Sequence, residues 1–177
     1  MKCLLVYPSS LMYSEIYLRL EPLGLARIAT GLRQAGHDVH VVDLQVLRHR
    51  DYLRKLDEWT PDAVGFCLNY LANIPEVIEL AREAKQHRPG CFTFAGGHSV
   101  SFIADEVLEH AAGAIDCIVR GEGERVTPML LEAAGDDGLH ALPGVVTREG
   151  HGPPPVLLED LDQHVPARDL LARRRKY

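Results

Sequence analysis

The chain has 177 residues, enough for one domain built around a single core. Hydrophobic residues make up 46% and charged residues 25%, which is globular composition and excludes a low-complexity polymer. The formal charge of −6, with no Lys/Arg stripe, argues against nucleic acid as the main partner, and the apolar runs are too short for a membrane span. A cytoplasmic location is therefore the expectation.

The start, "MKCLLVYPSS", has too short an apolar run for a signal peptide and no small-residue cleavage site, so "KCLLVY" reads as a first strand. "EPLGLARIATGLRQAG" follows with Leu25, Ile28, Ala29, Leu32 and Ala35 on one helical face, Pro22 in the first turn and Gly36 just past the end. "DVHVVDL" is a second strand, "DYLRKLDEW" a short helix and "DAVGFCL" a third strand. "NIPEVIELAREAKQH" predicts a helix capped by Asn73, with Pro75 in its first turn and Glu76 completing a capping box. Its inward stripe is Ile74, Val77, Ile78 and Ala81. "CFTFAG" is a fourth strand and "VSFIADEVLEHA" a helix. "AIDCIVRG" is a fifth strand, and "ERVTPMLLEAA" a helix with Val126, Met129, Leu130 and Ala133 inward.

Strict β-α alternation with strands apolar on both faces predicts an α/β fold. Right-handed crossovers narrow it to a flavodoxin-like (Rossmann-like) doubly wound parallel sheet of five strands in the order 2-1-3-4-5. Ligands of such sheets bind at the carboxyl ends of the strands, which directs attention to "PSS", "NYLAN", "GGHS" and "GEGE". Residues 1–135 form this domain. Residues 136–177, rich in Pro and Gly, with one strand candidate in "GVVTRE", an extended "PPP" and a basic run from Arg173 to Lys176, read as an appendage that packs on the domain and leads out of it. Cys3, Cys67, Cys91 and Cys117 lie in or beside strands with no C-x-x-C spacing, so they read as buried thiols rather than metal or redox groups.

Familiar cofactor motifs fail on chemistry. The first strand ends in Tyr7-Pro8-Ser9-Ser10 without the glycines a dinucleotide needs, and "GEGERV" lacks a third glycine and carries two carboxylates that would repel a pyrophosphate. A receiver domain needs an Asp where the third strand leads into Asn69, and no P-loop is present. Gly96-Gly97 is more informative. A tight turn needs one glycine, whereas two at a ligand edge also let a bulky group lie against bare main chain. On these residues alone both readings stay open. So do ligand contact or helix capping for His98, capping for Ser99 and Ser101, and, for Arg120 to Glu124, helix-dipole acids or carboxylates that accept ligand hydrogen bonds.

With "EPLGLARIA", "PDAVGF", "FAGGHS" and "VRGEGE" in this order and spacing, the sequence resembles the cobalamin-binding N-terminal domain of radical S-adenosylmethionine enzymes, and within that family the start of the hopanoid-methylating members. The tail "HVPARDLLARRRKY" is similar to the linker that runs into their radical domain. The resemblance implies bound cobalamin, as methylcobalamin or hydroxocobalamin, with the corrin ring over the carboxyl ends of the strands. It implies a dimethylbenzimidazole tail running beside Gly96 and Gly97, where a Cβ would stand in its path. His98 and Ser99 would lie near the tail, and Gly121, Glu122, Gly123 and Glu124 would border the ring. Asn69, Tyr70 and Leu71 would sit beneath it, and Ser9 and Ser10 complete the expected cofactor-binding set. The implied partner is a C-terminal radical domain carrying the iron–sulfur cluster and S-adenosylmethionine, whose cluster motif is missing from this sequence.

The sequence departs from the family in one chemically important way. The D-x-H-x-x-G motif whose His ligates cobalt does not follow the first strand, and no His occurs between Pro8 and Gly24. "DVHVVD", Asp38 to Asp43, spells half the motif inside a strand, and Ser-x-Leu after the third strand reads Cys67-Leu68-Asn69. No His is expected to ligate the metal and no residue to be catalytic, so binding should be base-off, with water, a weak side-chain contact or nothing at the lower face. Two other classes remain as alternatives: the N-terminal half of a two-domain glycosyltransferase, suggested by "LARIATGLRQAGHDVHVVD", and a flavodoxin-like scaffold without a cofactor.

Overall fold

Strands buried on both faces are rich in Val, Ile, Leu, Phe and Cys, and the five runs with that character form the parallel centre of the sheet. They are β1 (Lys2–Tyr7), β2 (Asp38–Asp43), β3 (Ala63–Cys67), β4 (Phe92–Gly96) and β5 (Cys117–Val119), adjacent in the expected order β2-β1-β3-β4-β5. The computed structural model describes residues 1–10, 19–135, 138–158 and 160–177.

The count of five strands is corrected. β6 (Val145–Thr147) pairs antiparallel with β5, and β7 (Gly150–His151) pairs antiparallel with β6, giving seven strands. Without β6, the unpaired backbone groups of β5 would form an open edge, and Val145 and Val146 are fully buried there. The first part of the expected appendage is thus built into the sheet.

Helices cover both faces. α1 (Leu23–Gln34) and α5 (Gly123–Glu132) pack on one, while α2 (His49–Trp59), α3 (Ile74–His87) and α4 (Ala104–Ala111) pack on the other. Gly36, at φ +83°, ends α1 as predicted. Four local expectations change. Ala35 lies past the end of α1 and is exposed, and Met129 is 44% exposed because α5 turns Thr127, Leu130 and Leu131 inward instead. The helix expected over 100–111 is interrupted: Val100–Phe102 is a 3-10 turn, Ile103 departs to φ −135°, and α4 begins at Ala104. Asn73 and Glu76 do not form a capping box. The Glu76 carboxylate accepts the Ser9 N–H at 3.0 Å and an Asn73 amide hydrogen at 3.2 Å, while Asn73 also donates to the Ser9 carbonyl at 3.3 Å, so the pair ties the β1 loop to α3.

The four cysteines are buried and free. Burial pushes their thiols up, to about 12 for Cys67 and about 11 for Cys91, which keeps them protonated and inert. No helix among the described residues is long and apolar enough to cross a membrane.

Candidate functional site

The order β2-β1-β3 reverses direction at β1, so the crevice outside the carboxyl ends of β1 and β3 is where a ligand is expected. Register keeps those ends level: Tyr7 pairs with Asp43, Cys67 with Gly96, and Gly96 with Val119. A cavity of about 420 Å³ opens there on the α1/α5 face, a size ordinary for small-molecule sites.

Each wall has a sequence cause. Strand positions alternate between faces, so Leu5, Gly65 and Phe94 line the cavity while Val64 and Phe66 pack beneath α2–α4. Gly65 is the floor, and the Phe94 ring lies where its Cβ would be, so a glycine inside β3 is what admits the ring. Leu25 and Ile28 of α1 form one side; Gly123, Glu124 and Thr127 of α5 form the other. The two helices approach closely because Gly31 has no Cβ to meet the Glu124 carbonyl, which would lie 2.6 Å away. The result is an apolar slot with a polar mouth made of Tyr7, Asn69, Tyr70, Glu122 and Glu124.

Of the residues expected to bind cofactor, the structure brings Asn69, Tyr70, Gly96, Gly97, Gly121, Glu122, Gly123 and Glu124 to this cavity. Ser9 faces a separate small hollow beside Glu76, Glu79 and Glu83, on the opposite side of the sheet. Ser10, Leu71, His98 and Ser99 do not line the cavity. Exposed His98 lies edge-on to Phe102, their ring centres 5.5 Å apart, and the Ser99 hydroxyl donates to the Asn69 carbonyl at 2.6 Å. Asn69 therefore organises the edge: its side-chain oxygen also accepts the His98 N–H at 3.2 Å.

Protein atoms also lie close to the paired glycines. A Cβ on Gly97, at φ +130°, would meet the Leu68 carbonyl and the Asn69 side chain at 2.8 Å, and one on Gly96 would meet the Val119 carbonyl at 3.1 Å. Protein atoms stand close at these two positions, as the Phe94 ring does at Gly65, and the slot is bounded by Leu5, Phe94 and the facing residues of α1 and α5. Gly121 and Glu122 are likewise engaged by the chain itself. Gly121, at φ +75°, accommodates Pro155, and the Glu122 carboxylate accepts the Leu158 N–H.

Two carboxylates near the carboxyl edge, cavity-lining Glu21 and Asp43 outside the lining, have opposite environments. Burial raises Asp43, at the end of β2, despite hydrogen bonds from the Tyr177 hydroxyl and from Gln45. The Arg168 guanidinium holds Glu21 below the usual carboxylate range. Burial pushes the Tyr7 hydroxyl up to about 12, so it stays protonated beside Asn69. Among the described cavity-lining residues there is no histidine. His40, in "DVHVVD", stacks on Trp59 with ring centres 4.2 Å apart and contacts Lys55 at 2.9 Å, inside β2.

A wider groove of about 1020 Å³ lies at the opposite, amino edge of the sheet. Its Lys85 and Asp116 pair with each other at 2.6 Å, and Asp116 also accepts the Thr93 N–H and hydroxyl, so those charges are already satisfied. The smaller, apolar cavity at the switch point is the candidate. Sequence reasoning missed Gly65, Leu25, Ile28, Phe94 and Thr127 as cavity residues; the one available signal was a glycine within the strand run "DAVGFCL".

Residues 10–131 match the family described as B12 binding domain. The chain is 57% identical to a hopanoid C-3 methylase from Methylococcus capsulatus, over all of this chain and 35% of that protein. It is 30% identical to an uncharacterized methyltransferase from Pyrococcus horikoshii, over 97% of this chain and 39% of that one. It thus spans little more than a third of the length of these curated relatives. The solved structure of OxsB, a cobalamin-dependent S-adenosylmethionine radical enzyme with aqua-cobalamin and S-adenosylmethionine bound, superposes with a TM-score of 0.77 at 20% identity, over 99% of this chain and 25% of that one.

Proposed function

This chain belongs to the B12-binding domain family, and from that premise we propose that it holds a corrinoid base-off at the carboxyl edge, without a histidine ligand, as the cofactor-carrying part of a radical S-adenosylmethionine methylase. The observation that carries the reading is the apolar slot at the switch point, floored by Gly65 and Phe94. A flat aromatic base needs such a slot, and an amide-decorated ring needs a polar rim; both are present in one cavity. Leu25, Ile28 and Phe94 would pack on the nucleotide base. Asn69, Tyr70, Glu122 and Glu124 would meet ring amides at the mouth, and Tyr7 would keep a neutral hydroxyl near them. No imidazole occurs among the described cavity residues, so these residues offer the metal no strong nitrogen donor. When bound, a methylcorrinoid supplies a transferable methyl group. The protein's part is to orient it and to exclude water from the slot.

The 57% identity over the whole chain supports hopanoid-type methylation, with a polycyclic lipid carbon as acceptor. The iron–sulfur cluster and S-adenosylmethionine would belong to a radical domain acting with this one. In this reading residues 1–135 carry the ligand edge, and the later residues connect it to that partner. Family membership leaves the glycosyltransferase and cofactor-free scaffold readings without support.

Ile28→Trp tests the slot, because the cavity has room for the larger ring and the variant should fold. The wild-type chain, mixed with hydroxocobalamin and desalted, should retain colour near one equivalent, and Ile28→Trp should retain almost none while keeping its far-ultraviolet circular dichroism. Equal retention by both chains would remove the slot from the account.

A further inference from the structure

We propose that the C-terminal tail is a clamp that sets the separation of the two cavity walls, with Arg168 as its positioning residue; this deepens, and rests on, the corrinoid reading. The tail grips one wall at Gly121 and Glu122. Pro155 packs where a Gly121 Cβ would otherwise stand, at 2.7 Å, and the Leu158 N–H binds the Glu122 carboxylate. It grips the facing wall at Glu21, whose carboxylate takes Arg168 Nε at 2.8 Å and lies 3.6 Å from Arg174 Nε. Glu21 and Glu122 both line the cavity, and no described residue after Thr127 does. The tail therefore touches the slot only through its walls.

Between these grips the tail docks on α1 through hydrogen bonds and buried side chains. The Ala167 N–H donates to the Ala26 carbonyl at 2.9 Å, and the Thr30 hydroxyl donates to the Val165 carbonyl at 2.5 Å. Ala167 and Leu171 are buried in the same apolar cluster as Leu25 and Phe94, which face the slot. The path runs from Gln34 past Thr30 and Ala26 to Glu21, back toward the carboxyl edge, where Arg173 donates to the Val46 carbonyl at 2.9 Å and Tyr177 reaches Asp43. An exposed ion pair contributes little by itself. The effect of Arg168 comes from where it holds the Glu21 wall. Any coupling of this kind is reciprocal, so a ligand in the slot must stabilise the docked tail as much as the docked tail stabilises the ligand.

A control is built into the same tail. Arg33 pairs with Asp169 at 2.8 Å on the solvent side of α1, and neither residue lines the cavity. Arg168→Ala should release bound hydroxocobalamin roughly 5-fold faster than wild type or more, the lower end of common coupling between sites. Arg33→Ala should change the rate by less than about 2-fold. Hydrogen exchange supplies the second readout: hydroxocobalamin bound to the wild-type chain should slow exchange at the Leu158 and Ala167 amides, neither of which lines the cavity. Wild-type uptake with equal release rates for the two variants, or unchanged exchange in the tail, would overturn the clamp alone. A wild-type chain that takes up no hydroxocobalamin would overturn the corrinoid reading and the clamp with it.

Discussion

On the α2–α4 face of the sheet, Leu4, Val6, Val64, Phe66 and Leu68 interlock with Leu56, Val77 and Ile78, and the Tyr52 hydroxyl finds the Leu80 carbonyl at 2.6 Å. On the α1/α5 face the same strands present Leu5, Gly65 and Phe94, and the helices carry Gly31 and Gly123 at their closest approach. One face interlocks beneath its helices, with a small hollow at its edge beside Ser9; the other carries the larger apolar slot. The difference teaches that a sheet buried on both sides can still carry a binding slot where the helices covering one face leave space at the ligand edge.

The contrast can be broken by exchanging bulk between the faces. Leu56→Ala, on the filled face, should cost about 2–5 kcal/mol, read from the urea midpoint, and leave hydroxocobalamin retention unchanged while the protein is folded. Gly65→Val, on the open face, should cost about 1–3 kcal/mol, because its side chain meets the Phe94 ring, and should abolish retention. If the first variant lost the corrinoid and the second kept it, the functional distinction between the faces would collapse. Tyr177→Phe should cost about 1 kcal/mol through the lost hydrogen bond to buried Asp43.

The smallest expected effects sharpen the comparison within the ligand edge itself. Asp43 has its folded-state pKa raised by burial, so its contribution to stability is full below the ordinary carboxylate range and is lost as pH rises through the raised value. Glu21, lowered chiefly by Arg168, behaves oppositely: its contribution is full above the ordinary range and is lost as pH falls through the depressed value. Asp43→Asn should flatten the stability profile on its high-pH side, and Glu21→Gln on its acid side. Urea midpoints measured from about pH 3 to pH 7 check both, spanning the ordinary carboxylate range and the neutral side of it.

Much of this architecture was legible in the sequence because burial on two faces leaves a strong mark. "KCLLVY", "DAVGFCL" and "CFTFAG" contain little that could tolerate water, and the order of the parallel strands follows from the crossover rule. What escaped was decided by distant partners. β7 is only two residues long and exists because β6 offers it an edge. Asn73 and Glu76 had a local capping pattern, yet Ser9 claimed them. Gly96 and Gly97 were recognised as a place of close approach, but the sequence could not say that Leu68, Asn69 and Val119 were what approached. Gly65 was hidden inside an apolar run, and the tail's arginines read as a basic linker because Glu21, their partner, lies 147 residues from Arg168.

The most direct measurement is electron paramagnetic resonance of the wild-type chain loaded with cobalamin and reduced to the cobalt(II) state. If the slot holds the nucleotide base and no histidine reaches the metal, the cobalt lines will show no nitrogen superhyperfine splitting. Splitting from a coordinated nitrogen, of the base or of an imidazole, would contradict the account.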